Sequence, residues 1–365
     1  MHPVLGLVGA ALVLVALVDM LWTTVAVSAG AGPLTSSVSH RLWTGFCAAA
    51  RRSDHAHRLL RLAGVTVVIA VFTVWIGLFV LGWWLIFSSS PGAVREATTG
   101  DTVGWAARLY YVGFTTSTLG VGDLVAGDGL WRLLTVVAAF SGLSVVTMSI
   151  TYLLPVASAV VDRRSLGMEI ASLGDHPADI VIAAWQGGDW HALERRLEAV
   201  SREIGTLGQR HLAYPVLHYF HDLEPKAAAA PSIATLDEAM TLVRFGLAPE
   251  ARPHPMVLDS TRTSVASFLS TLSSGHIEPA TTAPPLPLLQ PLRDAGIPTV
   301  ADEEFGAACA DLRHRRQLLL GFVHDDGWDW DVVVAAERHQ DDAEEAEDTV
   351  TPDEVEEGGP GEDAA

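Results

Sequence analysis

Apolar residues run along this chain in three long blocks before giving way to shorter amphipathic segments. Pro3 to Val18 carries no charge and, after Asp19, the apolar character resumes from Met20 to Gly32. Leu62 to Val94 is 33 residues without a charge, and Leu133 to Val161 is another 29. A helix crossing the hydrocarbon core of a bilayer needs about 20 predominantly apolar residues, so each block predicts a spanning helix. Between the second and third, Arg95 to Arg132 is too polar to cross as a helix, yet it holds an apolar, aromatic segment from Trp105 to Phe114.

Flanking charges set the expected orientation. Residues 31–61 read as an Arg-rich loop with Arg41, Arg51, Arg52, Arg58 and Arg61 against Asp54, and Arg163 and Arg164 follow the third block. The positive-inside rule makes both segments cytosolic, which places the N-terminus and residues 95–132 outside. The expectation is a multi-pass protein of the plasma membrane with a cytosolic C-terminal half. The first block also resembles a secretory signal because Val27-Ser28-Ala29-Gly30 follows it. No Lys or Arg precedes it and Asp19 interrupts it, so an uncleaved helix is the working reading.

Between the second and third blocks stands Tyr110-Tyr111-Val112-Gly113-Phe114-Thr115-Thr116-Ser117-Thr118-Leu119-Gly120-Val121-Gly122-Asp123. Its T-x-G-x-G-D end resembles the selectivity filter of potassium channels, whose loop reads TVGYG. Rings of backbone carbonyls replace the hydration shell of the ion there, and glycine reaches the backbone angles that aim successive carbonyls at one axis. The resemblance covers roughly residues 65–158. It implies potassium ions at the carbonyls of Thr118, Leu119, Gly120 and Val121, with the Thr118 hydroxyl as a further ligand. It also implies a short pore helix over 105–117, a supporting cuff formed by Tyr110 and Tyr111, and a homotetramer closing four filter strands around one axis. The tyrosines alternatively belong to an interfacial aromatic belt.

One residue departs from the family. Val121 stands where Tyr or Phe is usual, so carbonyl coordination is kept while side-chain bracing of the filter is lost. Gly142, 20 residues after Gly122, reads either as a gating hinge or as a close-packing point between helices. Pro155 reads either as a kink at the closing point of the pore or as a plain helix-terminus proline. Asp101, Asp123 and Asp128 fall on the outer side, where carboxylates concentrate cations.

Asp19 is the one ionisable residue inside the first block. Intramembrane carboxylates are functional candidates by default; Arg41, Arg51, Arg52 and water are its candidate partners, and a solvated place near the inner interface is the expectation. No span carries a regular Arg series, so no voltage-sensing helix is expected.

From Asp162 onward the pattern predicts a mostly helical cytosolic domain over 162–336. Asp189 is a candidate N-cap, followed by Leu193, Leu197, Val200, Ile204 and Leu207 on one helical face, too short a stripe for a coiled coil. A second helix is expected from the capping box at Thr235-Leu236-Asp237-Glu238 to Gly246, and a third from about Val300 to Phe322. Five prolines between Pro279 and Pro291 mark a loop. His211, His218 and His221, the last two expected one helical turn apart, read as packed core histidines rather than metal ligands, since zinc sites usually need four donors. Arg313, His314, Arg315 and Arg316 read as a solvated helix face, with anionic lipid or the acidic tail as the other reading.

Composition narrows the picture further. The chain has 365 residues, 49% hydrophobic and 18% charged, with a net charge of −20. Residues 337–365 carry 13 acids against Arg338, which leaves −8 for everything before them. That tail cannot bury enough surface to fold alone. No basic patch suggests a nucleic-acid partner, and neither a dinucleotide fingerprint nor a phosphate loop appears. Cys47 and Cys309 form no disulfide framework or metal spacing. The reading is therefore an all-α membrane protein: an extra N-terminal helix over 1–30, a pore domain over 62–161 and a helical cytosolic domain of unknown ligand or protein partner. It conducts potassium, needs no cofactor and is not an enzyme. The alternatives are a weakly selective cation channel and a non-conducting membrane-anchored sensor or scaffold.

Overall fold

The chain opens with α1 (Pro3–Val25), α2 (Pro33–Ala50) and α3 (Ala56–Ser88), then forms strand β1 (Val94–Glu96), helix α4 (Trp105–Thr116), strand β2 (Leu124–Ala126) and helix α5 (Leu130–Ala171). The structure, a computed structural model, describes residues 2–26, 30–52, 56–273 and 277–334. Among these, α1, α3 and α5 are long and apolar enough to cross a membrane. At 1.5 Å per residue α3 is about 50 Å long and α5 about 63 Å, against a hydrocarbon core of about 30 Å. Both therefore project well beyond one face of a bilayer. The acidic tail expected over 337–365 lies outside the described residues.

Helices α1 and α3 meet through glycine. A Cβ on Gly9 would stand 2.4 Å from the Gly82 carbonyl oxygen, and one on Gly82 would stand 2.7 Å from that of Gly9. Lipid offers no hydrophobic drive between helices, and this backbone-to-backbone approach supplies dispersion contact instead. Trp75, Phe79, Trp83 and Phe87 of α3 are buried in the same core, which continues through Tyr111 of α4 to Trp131 and Val145 of α5.

The expected Arg-rich loop over 31–61 is largely helical: α2 fills most of it and α3 begins before it ends. The buried stripe of α2 is Thr35, Ser39, Trp43 and Ala50. Thr and Ser stand at buried positions of that face, so it reads as polar in sequence. The N-terminus of α2 is held by Asp19. Its Oδ1 accepts the Leu34 N–H at 2.8 Å, while Oδ2 accepts the Thr35 N–H at 3.2 Å, the Thr35 hydroxyl at 2.7 Å and the Trp75 indole N–H at 2.8 Å. Asp19 is 3% exposed. The solvated carboxylate is thus corrected to a buried one, and its partners are the free N–H groups of a helix N-terminus and an indole rather than an arginine.

Helix α5 runs unbroken past the expected boundary at 161–162 and supplies Leu166 and Ile170 to the core of the C-terminal half. That half contains α6 (Pro177–Ala184), α7 (His191–Ala213), α8 (Ala229–Thr241), α9 (Pro255–Ser273), α10 (Gln290–Asp294), α11 (Asp302–Ala308), α12 (Arg313–Asp325) and α13 (Asp331–Val334). The predicted stripe of α7 is buried throughout and packs against α9. Asp189 caps from one residue further out than expected, accepting the His191 N–H at 2.9 Å, because Trp190 occupies the cap position.

The capping box is not one. Thr235 to Glu238 lie inside α8, whose every residue is buried, and a π turn, Leu242–Gly246, ends the helix where the sequence places its stop. Asp237 and Glu238 face inward, where Arg315 meets Asp237, and Arg316 binds Glu238 through Nε at 2.7 Å and Nη2 at 3.1 Å. The solvated basic face is accordingly corrected: Arg313 and His314 are exposed, whereas Arg316 is 3% exposed and also donates to the Pro284 and Pro285 carbonyls. The single helix expected over 300–322 breaks after Ala308 into α11, a short 3-10 turn, Ala310–Leu312, and α12.

Nor do the three histidines converge. His211 packs on Phe268, His218 lies 2.8 Å from Asp325, and His221 meets His57 of α3. His218 sits in a 3-10 turn, Pro215–Tyr219, and His221 lies beyond it. No cluster among the described residues has the makings of a metal site.

Candidate functional site

Helix α4 is wedged between α3 and α5. The Tyr111 ring packs edge-on against Phe87 and Phe114, each at 5.2 Å, and its hydroxyl lies 2.6 Å from the Thr135 hydroxyl of α5. The Trp84 indole donates to the Trp105 carbonyl at 3.0 Å and fixes the other end. Where α4 finishes, Gly142 of α5 lies directly beneath it: a Cβ there would stand 2.1 Å from the Thr116 carbonyl oxygen. This geometry favours the close-packing reading of Gly142.

The loop Thr118–Asp123 grows out of the last turn of α4. The N–H groups of Leu119 and Gly120 both donate to the Phe114 carbonyl, at 2.9 and 3.3 Å, and that of Thr118 to Thr115 at 3.1 Å. Its far end is clamped by the two-stranded β1–β2 sheet, paired antiparallel as Val94 with Ala126, Arg95 with Val125 and Glu96 with Leu124. Asp123 belongs to this clamp, since its Oδ1 accepts the Leu124 N–H at 3.0 Å and its carbonyl the Ala97 N–H at 2.9 Å.

Between the clamps the sign of φ alternates. Thr118, Gly120 and Gly122 have φ of +62°, +60° and +87°, and no other non-glycine described residue has a positive φ. In an ordinary strand successive carbonyls point to opposite sides; reversing the handedness at every second residue turns successive peptide planes to the same side. An alternation of this kind lets a loop turn a row of carbonyl oxygens to one side, the ligand type that potassium channels use. Glycine meets this demand without steric cost, whereas for Thr118 it is strained. Strain in a non-glycine residue concentrates at functional segments. The C-terminal end of α4 adds its negative dipole end at the start of the row, which favours a cation.

The side chains of Leu119 and Val121 extend away from their own chain, 72% and 49% exposed. Behind the loop lies an open groove lined by Tyr111, Thr115, Thr118, Gly120, Gly122 and Thr135. The expected tyrosine pair divides. Tyr111 is buried in its own chain, while Tyr110 is exposed with its hydroxyl near the Asp123 carboxylate. Asp101 and Asp128 are exposed near the β1–β2 sheet. Pro155 lies well inside α5, which continues to Ala171, so it is not a helix-terminus proline. The sequence reading missed Thr135 of α5, whose hydroxyl meets that of Tyr111 of α4, from a position that no local pattern distinguishes.

Residues 68–158 match the family model described as an ion channel, nearly the stretch over which the filter resemblance holds. No solved structure matches the chain. A Bacillus subtilis (strain 168) protein described as the uncharacterized membrane protein YdjJ is 37% identical over 328 residues, covering 90% of this chain and 95% of the relative. The chain therefore belongs to the membrane-protein family of YdjJ, and within it carries a domain of the ion-channel family.

Proposed function

We propose that four copies of this chain form a potassium channel of the cell membrane, with the N-terminus outside and the C-terminal half in the cytosol. The observation that carries the reading is the alternation of φ through Thr118, Gly120 and Gly122 between two fixed ends. A single strand surrounds an ion on one side only, so the carbonyl row calls for copies around an axis, and the exposed Leu119 and Val121 side chains would pack between them. Arg41, Arg51 and Arg52 on and just after α2 support the orientation.

The test is cation flux from liposomes holding the purified protein, potassium against sodium, with Gly120→Ala as the control. A side chain at φ +60° costs about 1–2 kcal/mol per chain, so potassium flux is expected to exceed sodium flux and to fall at least tenfold in the variant. A mass in mild detergent other than that of a tetramer would overturn the assembly. Val121 favours one second reading, a weakly selective cation channel, because valine cannot hydrogen-bond to the structure around the filter. Equal potassium and sodium flux is its signature.

A further inference from the structure

The inner end of α5 is held by a knot of charged and aromatic groups that the conduction pathway does not use. Arg163, 4% exposed, donates through Nη1 to the Leu217 carbonyl at 3.1 Å and to that of Phe220, and through Nη2 to Asp326 Oδ1 at 2.5 Å. One guanidinium thus ties the third spanning helix to the segment 214–222 and to the end of α12. Directly beside it, His57 of α3 and His221 form a pair, Nδ1 to Nε2 at 2.9 Å. Their rings are tilted by 14° with centroids 5.1 Å apart, which suits an edge-to-edge hydrogen bond. Trp328 covers both, at 4.3 Å from His57 and 5.4 Å from His221.

We propose that this junction is a cytosolic proton sensor: the neutral His57–His221 pair holds the inner end of the pore-lining helix, and protonation of the pair releases it. A hydrogen bond between two imidazole nitrogens needs one N–H and one lone pair, so a doubly protonated pair sets two N–H groups against each other. On its other side a proton on His221 is offered only a poorly placed acceptor. The buried Nδ1 lies toward the Asp326 backbone without a hydrogen bond of good geometry.

The surrounding charges define the balance. Arg163 opposes a proton on His221, whereas the charge of Asp222 and the backbone of Asp326 favour one. Arg164 of α5 lies 3.5 Å from Asp222. Burial first, and then His57, depress His221 from an ordinary 6.5 to about 4. A released histidine therefore takes up a proton that the held arrangement refuses. The held arrangement keeps its full stability above about pH 6.5 and loses it as the pH falls toward 4, by about tenfold in the held-to-released ratio per pH unit. Burial pushes the carboxyls of Asp222 and Asp326 up, an effect of opposite sign. His218 faces Asp325 at 2.8 Å.

The proposal rests on the channel reading only for its link to conduction, so the test has two readouts on the full chain. Hydrogen exchange of 214–222, corrected for the intrinsic pH dependence of exchange, is followed from pH 7.5 to 5, and liposome flux is recorded over the same range. Wild-type protection is expected to fall about tenfold or more below pH 6.5, with flux changing in step. His221→Phe and His57→Phe, which keep an aromatic ring, are expected to flatten both profiles, and His218→Phe is not. Flat wild-type protection would overturn the sensor, as would a fall that survives in both variants. Protection that changes while a measurable flux stays constant would overturn the coupling to the pore. Release without flux at any pH would uphold the sensor and count against the channel reading alone.

Discussion

Asp19 shows how a single residue in a spanning segment acquires a structural role. Its carboxylate accepts four hydrogen bonds from Leu34, Thr35 and Trp75, and charge-assisted bonds of this kind are about twice as strong as neutral ones. Asp19→Ala would leave buried donors unpaired at a cost of about 3 kcal/mol or more. The thermal midpoint in detergent is expected to fall by about 5 °C or more, and an unchanged midpoint would show that α2 does not depend on this cap. The cysteines separate in the same way. Burial pushes the Cys309 thiol up to about 11, and the residue is 4% exposed. At pH 7.5 maleimide is therefore expected to label Cys47, which is partly exposed, and to spare Cys309 until the protein unfolds. Equal labelling rates would contradict the burial.

Among the elements, the contact of α4 with α5 carries the most consequence. A methyl group on Gly142 collides with the Thr116 carbonyl, which belongs to the helix end on which the filter loop begins. Backbone cannot yield as a flexible side chain does, so Gly142→Ala must displace α4 or α5. Potassium flux is expected to drop at least tenfold while the protein still inserts and assembles. Flux at the wild-type level would instead place slack in this contact and reopen the hinge reading. The same comparison shows what a local pattern conveys. The left-handed backbone positions of Thr118–Asp123 were legible because its glycines answer a demand set within six residues, and the α7 stripe because five apolar positions share one face. Helix α2 was not, because its buried face uses Thr35 and Ser39; nor was α8, where a capping-box pattern falls by chance inside a helix buried on all sides.

At the scale of the molecule, the spanning helices and the C-terminal half are one mechanical object. Gly167 of α5 lies so close to the segment before α8 that a Cβ would stand 2.6 Å from the Ala227 carbonyl oxygen. Leu166 and Ile170 belong to the core of the C-terminal half. A soluble fragment of residues 160–334 is therefore expected to fold cooperatively, and one of residues 177–334 to aggregate or lose its cooperative melt. Circular dichroism and gel filtration distinguish them. Equal behaviour would mean that the end of α5 is only docked on the domain. A gate in this protein cannot move without carrying that contact with it.

What the sequence determined by itself is what depends on near neighbours or on the solvent. Three apolar runs require a bilayer, the arginines bias its sidedness, and Thr118-Leu119-Gly120-Val121-Gly122-Asp123 specifies a backbone that few other sequences tolerate. Only the tertiary structure decided which buried charges have partners. Asp19 meets Trp75 across 56 positions, Arg316 meets Glu238 across 78, and Arg163 meets Asp326 across 163. An ionised group in a core is tolerable when a complementary group arrives to meet it, and over such separations its arrival is set by how the helices pack, which no local pattern encodes.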